Sequence, residues 1–198
     1  MDDTVRVRRI EDGDWDAVVA LEREAYTGLG LSEGRAALQS RAAASPRTCF
    51  VLDVGPRTAG YLLALPYPFH RYPELERTEE TATAFPPGNL HLHDVVVAPG
   101  LRRRGLARHL LHHLTGTART RGDERISLVA VGGTERFWSA RGFVPHPGVV
   151  PAAYGADAVY MSRPVPPSDR TRRASPSALT PPPPVPSPSR FPSLREVS

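Results

Sequence analysis

The chain has 198 residues, 40% of them hydrophobic, and a formal net charge of +4 at pH 7. That length suits one domain with an appendage, and no apolar run approaches the roughly 18 residues that a membrane helix needs. The start, MDDTVRVRRIEDGDWD, lacks an apolar signal core, so a cytoplasmic location and no membrane partner are expected. From Val165 onward five arginines face only Asp169 and Glu196, which accounts for +3 of the +4. The body is therefore nearly neutral, and no nucleic-acid partner is expected. Cys49 is the only cysteine, which excludes an internal disulfide and a cysteine-based zinc site. In TCFVLDV it reads as a small buried apolar residue.

Thr4–Ile10 alternates and predicts a first strand. Asp12 to Tyr26 predicts a helix, capped by Asp12 or Asp14, with Val18, Val19, Leu21, Ala25 and Tyr26 on its apolar face. Leu31–Ala43 predicts a second helix with Ser32 as its N-cap. Thr48–Val54 and Arg57–Leu65 predict strands around a Gly55-Pro56 turn. Pro66 to Gly88 carries prolines and aromatics and predicts a long loop, which in a compact domain points to function. Leu90–Val97 predicts a strand, Arg103–Arg119 a helix and Arg125–Val131 a strand. Thr134–Arg141 predicts a short helix stopped by Gly142, and Ala156–Met161 a last strand. The order is β-α-α-β-β-β-α-β-α-β, an α/β fold with a mostly antiparallel sheet. This reading divides the chain into a domain at 1–164 and a tail at 165–198. Half of the 22 prolines lie beyond Arg163, so the tail is expected to be disordered.

The segment VAPGLRRRGLA, Val97 to Ala107, reads as strand, turn and helix start. The first N–H groups of a helix lack internal partners, and the dipole there is positive, so an anion fits. Gly105-Leu106-Ala107 opens the helix, with Gly105 and Ala107 leaving room for phosphate. Arg102, Arg103, Arg104 and Arg108 can supply charge-assisted bonds, Arg102 alternatively bracing the turn. The nucleoside triphosphate loop is excluded because Leu106 and Ala107 follow Gly105 where Lys and Ser/Thr are needed, and G-x-G-x-x-G is absent. What the segment does resemble is the [RQ]-x-x-G-x-[GA] acyl-CoA motif of the GNAT family of N-acetyltransferases. Arg102, Gly105 and Ala107 satisfy it, with Val97-Ala98-Pro99 as its usual prelude. FWSARGF, Phe137 to Phe143, resembles the family's F-Y-x-x-x-G-F segment.

The resemblance spans about residues 4–163. It implies a GNAT fold and acetyl-CoA as the acyl-donor co-substrate, with no metal. It also implies that backbone groups of Val95, Val96 and Val97 bond the pantetheine arm like an added strand. It leaves room for a homodimer, for which the sequence itself carries no interface signal.

By strand alternation His91, His93, Val95 and Val97 share one face, and Leu92, Asp94 and Val96 the other. An alkylammonium, with a pKa of about 10, must lose a proton before it can attack a thioester. A histidine titrating near neutrality suits that task. HLH, His91 to His93, resembles the H-x-H of arylalkylamine N-acetyltransferases at the same offset from R-x-x-G, which implies His91 and His93 as the deprotonating residues. Asp94 departs from that pattern, and HD-x-x-V looks closer to bacterial GNAT proteins of unsettled substrate. Asp94 is then a candidate for orienting a histidine or holding a loop at the substrate site.

Trp138 stands where many family members place an acidic tyrosine, so Tyr154 becomes the candidate general acid. Tyr26, Tyr67 and Phe69 are candidates for the acceptor pocket, and Glu74, Glu76, Glu79 and Glu80 for attracting a cationic amine. The favoured function is acetyl transfer from acetyl-CoA to a primary amine, preferably a small molecule, in a ternary complex. The alternative is a non-catalytic acyl-CoA-binding module that recruits a partner through its proline-rich tail.

Overall fold

Seven strands form one sheet in the order β1-β2-β3-β4-β5-β7-β6. β1 is Val5–Arg9, β2 Phe50–Val54, β3 Arg57–Pro66, β4 Asn89–Val97, β5 Arg125–Ala130, β6 Val144–Pro145 and β7 Val159–Pro164. The computed structural model describes residues 4–78 and 88–166. The expected disordered tail from 167 onward, and Glu79 and Glu80 of the long loop, lie outside the described residues. Helices α1 (Trp15–Tyr26) and α2 (Arg35–Ala44) pack on one face of the sheet, α3 (Leu106–Arg121) and α4 (Glu135–Ser139) on the other.

Every neighbouring pair is antiparallel except β4 and β5, which run parallel. The connection between those two is α3, whose Leu106, Leu110, Leu111 and Leu114 are buried against the sheet. Each such buried side chain stabilises the fold by about 1.5–3 kcal/mol. On the other face α1 buries Trp15, Val18, Val19 and Leu21 against Val51, Tyr61 and Leu63. Cys49 lies in that layer, fully buried, as the sequence suggests.

Several local expectations shift. α2 begins at Arg35 with Gly34 as N-cap, because the Ser32 hydroxyl donates to Glu22 Oε2 at 2.7 Å rather than capping the helix. α3 begins at Leu106, not Arg103. Arg103 and Gly105 both take left-handed conformations, φ 63° and 79°, which no continuous α-helix can include. The last strand lies at Val159–Pro164, and the two-residue β6 before it escaped the sequence pattern because so short an element has no period.

Alternation along β4 fails at one residue. Leu63 of β3 faces Asp94, but the next residue, Ala64, faces Leu92, so His93 is an extra residue in a β-bulge. The bulge reverses the faces beyond it. Leu90 and Leu92 pack toward α3 before it, and Val95 and Val97 do so after it. Asp94 and Val96 therefore share the α1–α2 side with His91, contrary to the simple alternation. Pairing of β4 with β5 also ends here, at Leu92↔Leu128. β4 runs on to Val97 and β5 to Ala130, so the two strands diverge beyond His93.

Candidate active site

The bulge places His93 against the turn between α1 and α2 and beside Tyr154. Its Nε2 lies 2.5 Å from Glu33 Oε1, in the turn between α1 and α2. Glu33 is held there by Glu22 of α1. The carboxylate of Glu22 accepts the Glu33 backbone N–H at 2.6 Å and the Ser32 hydroxyl through its second oxygen. The other oxygen of Glu33 accepts the Glu76 N–H at 2.9 Å and bonds Arg41 of α2, which is wholly buried. Arg41 also donates to the carbonyls of Glu74 and Arg77 at 2.9 and 3.0 Å. Asp94 accepts the Tyr61 hydroxyl at 3.1 Å and is also hydrogen-bonded by Tyr26.

Ionisation follows from these contacts. Burial works against an ionised Glu33, but the His93 hydrogen bond and the charges of His93 and Arg41 outweigh it and hold the carboxyl below its usual range. Burial raises Asp94, with the Glu33 charge adding and that of His93 opposing. Burial also raises Glu22, against the bonds from Glu33 and Ser32. The side chain of His93 is 2% exposed, and its Nδ1 is buried with no hydrogen-bond partner among the described residues. Most buried polar atoms are satisfied, so this orphan calls for an explanation; His91 Nε2 on the same strand is another, and His93 differs in facing a carboxylate through its second nitrogen.

The sequence candidates separate. His91 is fully buried, with Nδ1 3.0 Å from Ser127 Oγ and its ring stacked on Tyr160 at 6.2 Å. Burial pushes it well below the usual histidine range, so it stays neutral. Tyr67 lies beside His91, with ring centroids 6.2 Å apart. Phe69 joins a separate cluster with His70, His146 and Tyr160, under Arg125. Tyr26 faces Asp94. Tyr154 sets its ring edge-on to His93 at 6.5 Å, while its hydroxyl donates to the Pro73 carbonyl at 2.6 Å. Burial raises its pKa, so it keeps its proton. Trp138 packs in the core against Phe143. Glu74 and Glu76 are exposed at their side chains, and Glu74 pairs with Arg77 at 3.5 Å.

At the far end of the divergence, the turn after β4 leads into α3. Arg102 Nε donates to the Val97 carbonyl at 3.1 Å, so this arginine braces the turn. Arg103, Arg104 and Arg108 are exposed around the first turn of α3. The backbone there enters the helix through Gly105 with open space where a side chain would stand. Glu22, Glu33 and Arg41 escaped the sequence reading. Glu33 sits 60 residues from His93, and nothing local in LSEGR marks it.

A family model described as the acetyltransferase (GNAT) family matches residues 15–143. No curated protein matches the chain. Among solved structures it is similar to Ard1 from Thermoplasma volcanium, with a TM-score of 0.62 at 17% identity, covering 81% of this chain and 97% of that one. It is similar also to the ribosomal-protein-S18-alanine N-acetyltransferase from Escherichia coli, at a TM-score of 0.57 and 17% identity over 82% of this chain and 94% of that one. A third likeness is to the GphF GNAT-like decarboxylase in complex with isobutyryl-CoA, at a TM-score of 0.63 and 22% identity over 81% of this chain and all of that one. At these identities the likenesses show a shared fold. The family match over residues 15–143 shows that the chain belongs to the GNAT acetyltransferase family.

Proposed function

We propose that the protein transfers an acetyl group from acetyl-CoA to a small primary amine in a ternary complex, with His93 as general base. The observation that carries this is His93 Nδ1, buried and unpartnered beside the open end of the β4–β5 pairing. On its β3 side β4 stays paired through Val95, Val96 and Val97, and the opposite edge, beyond the last β5 pairing at Leu92, suits a pantetheine arm lying along it. The start of α3, Gly105-Leu106-Ala107 with Arg103, Arg104 and Arg108, suits the pyrophosphate. When bound, acetyl-CoA supplies the thioester carbonyl that the amine attacks.

The amine arrives as an ammonium, and His93 Nδ1 takes one of its protons. Glu33, on Nε2, and Asp94 each offer a carboxylate oxygen within 4.8 Å of a ring nitrogen of His93 and of one another, so the resulting imidazolium has two stabilising neighbours. A second proton leaves the amine as the C–N bond forms and the C–S bond breaks, and it ends on the departing thiolate. Tyr154 is the candidate relay: its hydroxyl proton, released from the Pro73 carbonyl, goes to the thiolate, and the second amine proton replaces it. His91, neutral and tied to Ser127, supports the strand rather than carrying charge.

Glu33, His93 and Asp94 also resemble a metal set in type. Here Glu33 already spends one oxygen on His93 and the other on Arg41 and the Glu76 amide. A cation would face the Arg41 charge, so the set suits a proton better. The same carboxylates disfavour a decarboxylase reading drawn from GphF, because a carboxylated acyl group would meet Glu22, Glu33 and Asp94. They favour a cationic acceptor, with Tyr26 and Tyr67 as walls of its pocket. Reaction in the cytoplasm and homodimerisation remain parts of this proposal.

The test is acetyl-CoA turnover by free-thiol release across arylalkylamines, polyamines, aminoglycosides and peptides, for wild type and His93→Ala. General-base loss should slow turnover by about 10²–10⁴-fold, with CoA binding by calorimetry unchanged. Tight CoA binding with no amine-dependent release from any class would favour the non-catalytic module instead.

A further inference from the structure

Glu33 joins three parts of the molecule that are distant in sequence. Its backbone N–H is fixed to Glu22 of α1 at 2.6 Å. One carboxylate oxygen meets His93 Nε2 at 2.5 Å. The other meets Arg41 and the Glu76 amide, and Arg41 in turn grips the carbonyls of Glu74 and Arg77. The segment from Tyr67 to Arg77 is thus strapped over the α1–α2 face. Its other anchors include Tyr154 on Pro73, Tyr72 on Val150, Tyr160 on the His70 amide and two bonds between Tyr67 and Asn89.

We infer that Glu33 is the positioning residue for His93, fixing the ring proton on Nε2 and the lone pair on Nδ1, and that docking of the 67–77 strap is what holds Glu33 in place to do so. This rests on the reading of His93 as base. An ionised carboxylate can only accept hydrogen bonds. A neutral His93 must therefore carry its proton on the nitrogen that Glu33 faces, and its basic lone pair falls on the orphaned Nδ1. Arg41 and the Glu76 amide both bond Oε2, which leaves Oε1 to His93 among the described residues, so the ring is set by a contact that the structural bonds do not share. Lifting the strap removes the Glu76 N–H and two of the carbonyls that hold Arg41, and so frees the second oxygen of Glu33 to turn away from His93. Closure of the strap and assembly of the base then become one event.

The test uses the full chain with 15N-labelled histidine, the His93 signals being assigned by their loss in His93→Ala. In wild type at pH 8 the ring should show the Nε2–H tautomer alone. Glu33→Gln should mix the tautomers and speed hydrogen exchange of the Glu76 amide. It should also lower kcat by about 10²-fold or more with the acetyl-CoA KM unchanged, and Glu33→Asp should recover part of that loss. A wild-type His93 protonated on Nδ1, or a Glu33→Gln enzyme with wild-type kcat, overturns the inference. Unchanged Glu76 exchange overturns the strap's part in it. If Glu33→Gln does not fold, the wild-type tautomer and Glu33→Asp decide. If no amine is turned over, the ring spectra still decide, so failure of the acetyl-transfer reading stays distinct.

Discussion

Asp94→Asn should make the protein more stable and less active. Asp94 is buried, and its oxygen lies within 4.8 Å of a Glu33 oxygen. Two like charges at that distance repel by about 3.5 kcal/mol at an effective dielectric constant of about 20. The neighbouring His93 and the Arg41 charge on Glu33 offset part of this. The bonds from Tyr26 and Tyr61 weaken by some tenths of a kcal/mol each when the acceptor loses its charge. A net gain of about 1–2 kcal/mol remains, in the range found when functional sites are relaxed. For a domain of this size that is about 2–8 °C in Tm.

The sign of the pH dependence follows from burial, which raises Asp94 above the ordinary 3.8. Wild type is penalised wherever Asp94 is ionised in the folded state, above its raised pKa. The penalty fades as the pH falls through that value toward 3.8. Thermal melts of both proteins from pH 4 to 8 should therefore show a gap at pH 7–8 that closes at the acid end. Turnover should fall because His93 loses one of the charges that stabilise its protonated form. A lower Tm for Asp94→Asn at pH 7, or a gap independent of pH, would refute the electrostatic account of this site.

Gly60→Ala should lower Tm and raise the acetyl-CoA KM. A Cβ there would stand 2.6 Å from the Val96 carbonyl oxygen, a backbone atom that cannot step aside without moving β4, and such overpacking costs about 1–3 kcal/mol. An unchanged Tm would show that β3 and β4 have more freedom than their pairing suggests. Cys49 should be silent to thiol reagents at pH 8 until the protein is denatured, since burial pushes its thiol up to about 12. That keeps the free-thiol assay for CoA clear of background, and rapid labelling of the native protein would contradict the packing around it.

The parts legible in the sequence are those written locally. The Val97–Ala107 turn, the amphipathic stripe of α3 and the Gly142 stop depend on residues within a few positions of one another, and each lies close to where the pattern puts it. The site was only half legible. His93 and the turn could be named, but the face of Asp94 could not, because the bulge is set by how β4 pairs with β3 and not by anything in HLHDV. Arg41 reads as an ordinary polar residue of a helix, yet it is wholly buried. Only the fold brings Glu33 to it, and only the fold brings both to His93. Ser32 looked like a cap because its competing partner, Glu22, is presented by the preceding helix.

One residue marks two interruptions of the sheet. The β3–β4 register skips His93, and the β4–β5 pairing ends at the residue before it. The hydrogen-bond ladder is therefore interrupted on both sides of β4 at this side chain. Breaking it there puts an imidazole and two carboxylates into an interior that must compensate them. Arg41 supplies the cation, but a buried ion pair is weak support for stability, and apolar residues of the same volume often do as well or better. The pair makes sense through what else Glu33 touches. It spends one oxygen on Arg41 and the strap and the other on His93, so the buried charges that cost stability are the same ones that, in the proposed mechanism, orient the base.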